Sequence, residues 1–363
     1  ISSFAQYYFG IKYQLLLNAD QKSYVQLGVQ IVTLLLNTVG TIFLIRQGVS
    51  IHIVKLFTSI IFIIRPLFLM MYVKRNYYIN NNIKLTEEPI KQKWNGLAQH
   101  LAAVVLGNTD IVVLTLFSTL ENVSIYTVYN LVVTGVKQII IALTTGVSAL
   151  FGNMIAKKEM SNLLRAFRRF EIMMHFCVTI IFTITAILIV PFVKVYTKGV
   201  NDVNYIVPTF GILITVAQAA YCLRLPYNIL VLAAGHYKQT QNSAIIEMIL
   251  NIVISLISVV KFGLVGVALG TLVAMTYRTI YLVFYLRKNI ISRSVFHFVK
   301  YIILNAIVVL LSIVLCSSFN FDVTTYLEWI ILAIKVGITV ITVSLSVNMI
   351  IDYKNFINNI IKR

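Results

Sequence analysis

Apolar runs of about twenty residues follow one another along nearly the whole 363-residue chain. On one side they are joined by connections of only some three to eight residues. A run of that length is what a helix needs to cross the hydrocarbon core of a bilayer. Eleven segments qualify or nearly so: 1–18, 24–45, 50–73, 94–117, 123–153, 170–197, 205–233, 242–260, 264–286, 297–318 and 326–351. They are too long and too uniformly apolar for the alternating strands of a barrel, about ten residues each. Helices are the remaining way to satisfy the backbone in lipid. Charged residues are 12% of the chain, roughly half the usual share for a soluble domain, which leaves too little polar surface to cover a soluble globule. The fold class expected is therefore an all-α membrane protein.

Lysine and arginine in the connections set the orientation. The connections 19–23, 74–93, 154–169, 234–241, 287–296 and 352–363 carry 18 of them; 46–49, 118–122, 198–204, 261–263 and 319–325 carry 3. The positive-inside rule puts the first set, with the C-terminus, in the cytoplasm. A missed span would scramble this alternation. The net charge of +18 is thus topology signal, and no nucleic acid is expected as a partner.

Two cytoplasmic connections differ from the rest. Residues 74–93 are polar, with Asn, Pro and charges, and look like a linker between two bundles. Residues 154–169 fit either a basic amphipathic helix lying at the headgroups or, the favoured reading, a solvated loop that carries the topology signal. Cys177, Cys222 and Cys316 have no metal or redox spacing and read as small core residues. The chain starts at Ile1 inside an apolar stretch, so it is expected to lack its true N-terminus.

A faint internal repeat is visible. Tyr13, Ala19 and Asn37 recur 214 residues later as Tyr227, Ala233 and Asn251. Six spans separate the copies, and an even number preserves orientation. The repeat would therefore be parallel, about an axis along the membrane normal.

Ionisable groups inside spans cost free energy and by default face a bundle interior or an aqueous cavity. Lys137, in VTGVKQIII, is too deep to reach either interface easily. Arg224 precedes Pro226 by two residues, and Arg65 directly precedes Pro66. A proline frees carbonyls, which is tolerable beside a polar cavity, and arginine suits phosphate through its planar fork; the alternative for both is to snorkel to the cytoplasmic headgroups, about eight to ten residues away. The segment 94–117 carries Gln99, His100, Asn108 and Asp110. Asp110 is placed either to pair with a lysine, to bind a coupling cation or to hold two helices together. Glu247 and Asn251, one turn apart, read as a structural contact. Arg278 and Lys335 are weaker candidates. The spans hold nine cations (Lys12, Lys55, Arg65, Lys137, Lys194, Arg224, Arg278, Lys300 and Lys335) against four acids, Asp110, Glu171, Glu247 and Glu328. The small residues Gly263, Gly266 and Gly270 read as close helix packing.

Nucleophile elbow, zincin pair and P-loop are all missing. No cofactor, metal site or enzymatic activity is expected.

The stretch KWNGLAQHLAAVVLGNTDIVVLTLFSTLENVSIYTVYNLV at 93–132 resembles the opening of the second lobe of polysaccharide flippases. Asn108-Thr109-Asp110, then a short turn and Tyr126 and Tyr129, carry most of the likeness. SALFGNMIAKKE at 148–159 and RLPYNILVLAAGHYKQTQ at 224–241 look like the same branch of the multidrug/oligosaccharidyl-lipid/polysaccharide exporter superfamily. The resemblance implies two six-span lobes followed by two extra spans, of which eleven of fourteen are present. Residues 1–73 would be the remainder of the N-terminal lobe and 74–93 the cytoplasmic linker. The C-terminal lobe would be 94–286, the extra pair 297–351 and the cytoplasmic tail 352–363.

It also implies export of a polyprenyl-diphosphate-linked oligosaccharide across the bacterial cytoplasmic membrane for surface polysaccharide, by alternating access. Lys137, Arg224 and Arg65 would attract the anionic head. Asn108, Asn130 and Gln138 would hydrogen-bond sugars, with Asp110 and His100 in the same cavity. Membrane lipids, a sodium or proton gradient and the glycan polymerase machinery are the further partners implied. A multidrug antiporter of the same superfamily is the rival, but it would want a cavity rich in carboxylates and aromatics. A membrane glycan polymerase would want a large external loop.

Overall fold

The computed structural model describes residues 8, 10–78, 91–200 and 202–356, with side chains to 351. Every regular element among them is helical. In order they are α1 (Ile11–Ala19), α2 (Ser23–Arg46), α3 (Ile51–Asn76), α4 (Lys93–Phe117), α5 (Leu120–Leu143), α6 (Val147–Ala156), α7 (Met160–Tyr196), α8 (Pro208–Leu223), α9 (Leu225–Ala233), α10 (Tyr237–Asn289), α11 (Phe296–Cys316) and α12 (Tyr326–Phe356). Among the described residues nine helical stretches are long and apolar enough to cross a membrane. Large side chains such as Ile257, Val260, Leu310 and Ile338 point outward, a surface only lipid can cover. The chain is a multi-pass membrane protein. Much of the first expected span, 1–18, of the connection 74–93 and of the tail 352–363 lies outside the described residues.

The long helix α10 is a hairpin. Gly263 has φ 52° and ψ −128°, a conformation that a residue with a Cβ reaches only under strain. The chain reverses there, and the two arms pair closely: Asn251 donates to Thr271, and Arg278 to the Thr240 carbonyl. Gly266 and Gly270 let the backbones meet. A Cβ on Gly266 would sit 2.3 Å from the Ser258 carbonyl oxygen, and one on Gly270 would sit 2.3 Å from Ser255 Oγ. The expected small-residue packing is thus observed.

Two other expected spans are interrupted. The segment 123–153 divides at residues 144–146, where Gly146 has φ 84°. The segment 205–233 divides at Arg224, after which Pro226 opens α9, a position where a missing N–H costs nothing.

The expectation of a flat amphipathic helix or a solvated loop over 154–169 is corrected. After a turn at Lys158 (φ 59°), α7 runs unbroken from Met160 through 37 residues, about 55 Å. Its first turns continue straight into the span because Leu163, Phe167, Phe170 and Met174 form one stripe buried in the bundle.

The chain forms two compact units, Ile1–Lys91 with Thr145–Asn153, and Gln92–Thr144 with Met154–Arg363. In the first, α1, α2 and α3 pack around Tyr13, Leu17, Leu69 and Val73. In the second, α10 packs against α4 and α8, while α11 and α12 lie against α7. Its main core joins Tyr126, Tyr129, Phe210, Ile189 and Val267. The Tyr129 hydroxyl donates to the Tyr205 carbonyl and accepts from Val207 N–H, both at 3.1 Å, which ties the 198–207 loop to α5. On the same side Lys194 pairs with Asp322 of the loop before α12, and that ammonium holds the Asp322 carboxyl below the usual carboxylate range.

The 214-residue repeat has a local structural counterpart. Adding 214 to the bounds of α1 gives those of α9, and Ser23, where α2 starts, maps to Tyr237, where α10 starts. The positive-φ residues Gln21 and Gly235 correspond. So do the capping bonds: Asp20, Gln21 and Lys22 donate to Leu16, Asn18 and Leu17, as Ala234, Gly235 and His236 donate to Leu230, Leu232 and Val231.

At the opposite end of the second unit a buried ion pair fastens the 290–295 connection. Arg293 reaches Glu171, which also accepts from the Tyr227 hydroxyl at 2.5 Å. Arg293→Ala strands a buried carboxylate, and the expected outcome is a loss of about 3–5 kcal/mol, read as a lower melting temperature in detergent. An unchanged midpoint would show the pair to be dispensable.

Candidate functional site

A cavity of about 500 Å³ opens inside the second unit, within the range of small-molecule sites. Helical periodicity builds its walls. From α4 come Gly96, His100, Ala103, Gly107 and Asp110, one stripe of small and polar residues. From α5 come Tyr126, Asn130, Thr134 and Lys137, spaced four, four and three. The break between α8 and α9 supplies Gln218, Tyr221, Arg224 and Asn228, and the α10 hairpin supplies Glu247, Thr271, Met275 and Arg278.

Three cations meet in this chamber. Arg224 is only 8% exposed, pairs with Glu247, and lies with its guanidinium carbon 4.4 Å from the centre of the Tyr221 ring. It therefore does not reach for the headgroups. Arg278 donates to the Thr240 carbonyl at 2.9 Å and to Ser243 Oγ, and its Nε stands 3.9 Å from Glu247 Oε2. Lys137 Nζ lies 5.1 Å from the centre of the same Tyr221 ring. Among the described residues no carboxylate comes within 4.0 Å of Lys137.

Asp110 belongs to a different group. Thr271 Oγ1 lies 2.7 and 2.8 Å from its two oxygens, Asn251 Nδ2 is at 3.3 Å and the Tyr126 hydroxyl at 3.4 Å. These bonds join α4, α5 and both arms of α10 at one buried carboxylate. Asn251 Oδ1 is buried beside it without a hydrogen-bond partner. Among the described residues no cluster of three His, Cys, Asp or Glu is present.

Of the residues singled out from sequence, the cavity brings together Lys137, Arg224, Arg278, Asp110, Glu247, Gln99, His100 and Asn130. Asn108 is exposed and its amide donates to the Val104 carbonyl; Gln138 is exposed, one residue and about 100° around the helix from Lys137. Arg65 is half-buried in the first unit, with Nε lacking a hydrogen-bond partner. Glu247, read as a structural contact, pairs with Arg224 and lies 3.9 Å from Arg278 on the cavity wall. Tyr221, Gln218, Thr134 and Thr271 were not anticipated. The spacing Tyr126, Asn130, Thr134, Lys137 is the signal that could have found one wall.

The fold and the site together define a polytopic helical membrane protein with a cation-lined chamber inside its larger unit. No family model and no curated protein matches this chain. Among solved structures it is similar to one described as "Lipid II flippase MurJ, inward closed conformation", with a TM-score of 0.49 and 17% identity. That similarity covers 83% of this chain and 61% of the other, so this chain spans less than two thirds of that protein's length. At this level the likeness says nothing about substrate.

Proposed function

We propose that the chain is part of a transporter that moves a polyprenyl-diphosphate-linked oligosaccharide across the bacterial cytoplasmic membrane for surface polysaccharide assembly. The observation that carries the reading is Lys137, held in a mid-span chamber beside Arg224 with no carboxylate within 4.0 Å among the described residues. An ammonium at mid-span without a counter-ion is costly, and a passing anion removes that cost. A diphosphate with its sugars is too polar to cross hydrocarbon unaided. Asn130, Gln218 and Asn228 add neutral hydrogen-bonding groups of the kind sugars take.

The cation-antiporter alternative is disfavoured by the state of the two acids. Glu247 is paired with Arg224, so its charge is already neutralised. Asp110 is ringed by Thr271, Asn251 and Tyr126, and a bulky organic cation would reach its charge only by breaking those bonds. The transport reading keeps two lobes, 1–73 and 94–286, joined by 74–93 and followed by 297–351, with the C-terminus cytoplasmic. Contact with a glycan polymerase belongs to the same proposal.

The test is translocation in vesicles, comparing a fluorescent lipid-diphosphate sugar with an organic cation. Movement of the cation and not the lipid would overturn the proposal.

Among the described residues a coupling cation has a place that suits it. Asp110, the orphaned Asn251 Oδ1 and Thr271 Oγ1 present three oxygens and one formal charge, a donor set for a small monovalent ion. The expected result is that Asp110→Asn abolishes the dependence of transport on a sodium gradient, or on a proton gradient if protonation is the coupled event. Retained dependence on both would place coupling elsewhere.

A further inference from the structure

Glu247 stands among the cations of the cavity, where an anion repels the anion to be carried, and a diphosphate-binding role by itself leaves it unexplained. Its geometry accounts for it. The carboxylate is 4% exposed and bridges two guanidiniums, close to Arg224 through Oε1 and 3.9 Å from Arg278 Nε through Oε2. Both guanidiniums are also fixed by neutral groups. Arg278 is held by the Thr240 carbonyl, Ser243 Oγ and, at 3.4 Å, Gln99 Oε1; Arg224 rests on the Tyr221 ring. The two cations thus keep their positions without the carboxylate, and the bridge between them is an oxyanion seat that Glu247 fills.

We infer that Glu247 is a displaceable stand-in for the substrate's diphosphate and sets the charge threshold for entry. This rests on the proposed function above. Without a substrate, two buried guanidiniums would be unpaired, and such a state is strongly destabilised; Glu247 neutralises one charge of the pair. At the seat itself Lys137, Arg224, Arg278 and Glu247 leave a net charge of about +2, with Asp110 held apart among Thr271, Asn251 and Tyr126, and a diphosphate diester of charge about −2 matches it. A singly charged anion that replaces Glu247 exchanges one negative charge for another and gains nothing against the cost of its own desolvation. A diphosphate brings two charges and more acceptor oxygens, and it reaches Arg224, Arg278 and Lys137 together. The seat therefore selects doubly charged headgroups over phosphodiesters of charge −1, such as those of bulk phospholipids.

The experiment measures binding of inorganic pyrophosphate and of dimethyl phosphate to the full chain in nanodiscs, for wild type, Glu247→Gln, Glu247→Asp and Lys137→Ala. The inference expects Glu247→Gln to bind pyrophosphate about tenfold tighter and to acquire measurable affinity for dimethyl phosphate. Glu247→Asp keeps the charge but retracts it from Arg224, and should tighten pyrophosphate binding by about threefold. It serves where the Gln variant does not fold. If Glu247→Gln or, failing that, Glu247→Asp binds pyrophosphate no tighter than wild type, while Lys137→Ala still weakens it, the carboxylate is only structural and this inference falls. If wild type binds no pyrophosphate and Lys137→Ala changes nothing, the diphosphate reading itself falls with it.

Discussion

Lys137→Met is expected to lower lipid-diphosphate translocation in vesicles by about 10- to 100-fold, with the protein still present in the membrane at wild-type level. The magnitude follows from one charge-assisted contact, about 1.5–3 kcal/mol. The structure makes this variant unusually clean. The ammonium meets the Tyr221 ring and, among the described residues, no carboxylate, so removing it orphans none of their acids. Met keeps the apolar stem that packs along α5 and removes only the charge. Arg224→Ala would be harder to read because Glu247 would lose its close partner. Ile139→Ala, two residues along and facing outward, should transport normally. Wild-type transport by Lys137→Met would remove the cationic-seat idea. A loss shared equally by Ile139→Ala would point to a general effect on α5.

Gly266→Ala is expected to destabilise the protein by forcing the α10 hairpin apart. The new methyl would lie 2.3 Å from the Ser258 carbonyl oxygen and 2.5 Å from its carbon, and neither is the end of a flexible side chain. The two arms of α10 would have to separate. That would pull Thr271 and Asn251 away from Asp110 and loosen the contacts of Arg278 with Thr240 and Ser243. Overpacking of this kind costs about 1–3 kcal/mol in ordinary cores, and more where backbone must move. Thermal melting in detergent should therefore fall by several degrees, with less folded protein recovered. Gly337→Ala is the control. A Cβ there meets nothing within 4 Å, and alanine favours a helix over glycine by up to about 1 kcal/mol. Equal midpoints for Gly266→Ala and wild type would show that the hairpin tolerates separation, and that the glycines are incidental.

Much of the architecture was legible because a bilayer imposes one simple requirement. Any stretch of about twenty apolar residues must close its own backbone hydrogen bonds, and lysines and arginines avoid crossing. The α10 hairpin could be read from the three-residue connection 261–263 and from glycines spaced three and four apart, which leave one smooth helix face. The course of residues 154–169 was not legible. A helix lying on a headgroup surface and one entering a bundle show the same apolar stripe. What separates them is whether neighbouring helices stand beside Leu163 and Phe167, and that is not written in the local pattern.

The site divides in the same way. That Lys137, Arg224 and Asp110 are special follows from the cost of a charge in mid-span, a property of each residue and its distance from the interfaces. Their company follows from nothing local. Glu247 is 23 residues from Arg224, and Thr271 is 161 residues from Asp110. The chain alone therefore determined the membrane fold, the breaks at Gly263 and near Pro226, and which charges needed explaining. Only the packing of α4, α5, α8 and α10 decided which charges share a chamber, that Lys137 faces it while Gln138 does not, and that Glu247 spans two arginines. The reason is range: hydrophobic length and helical period act within a turn or a span, whereas an ion pair depends on which helices meet.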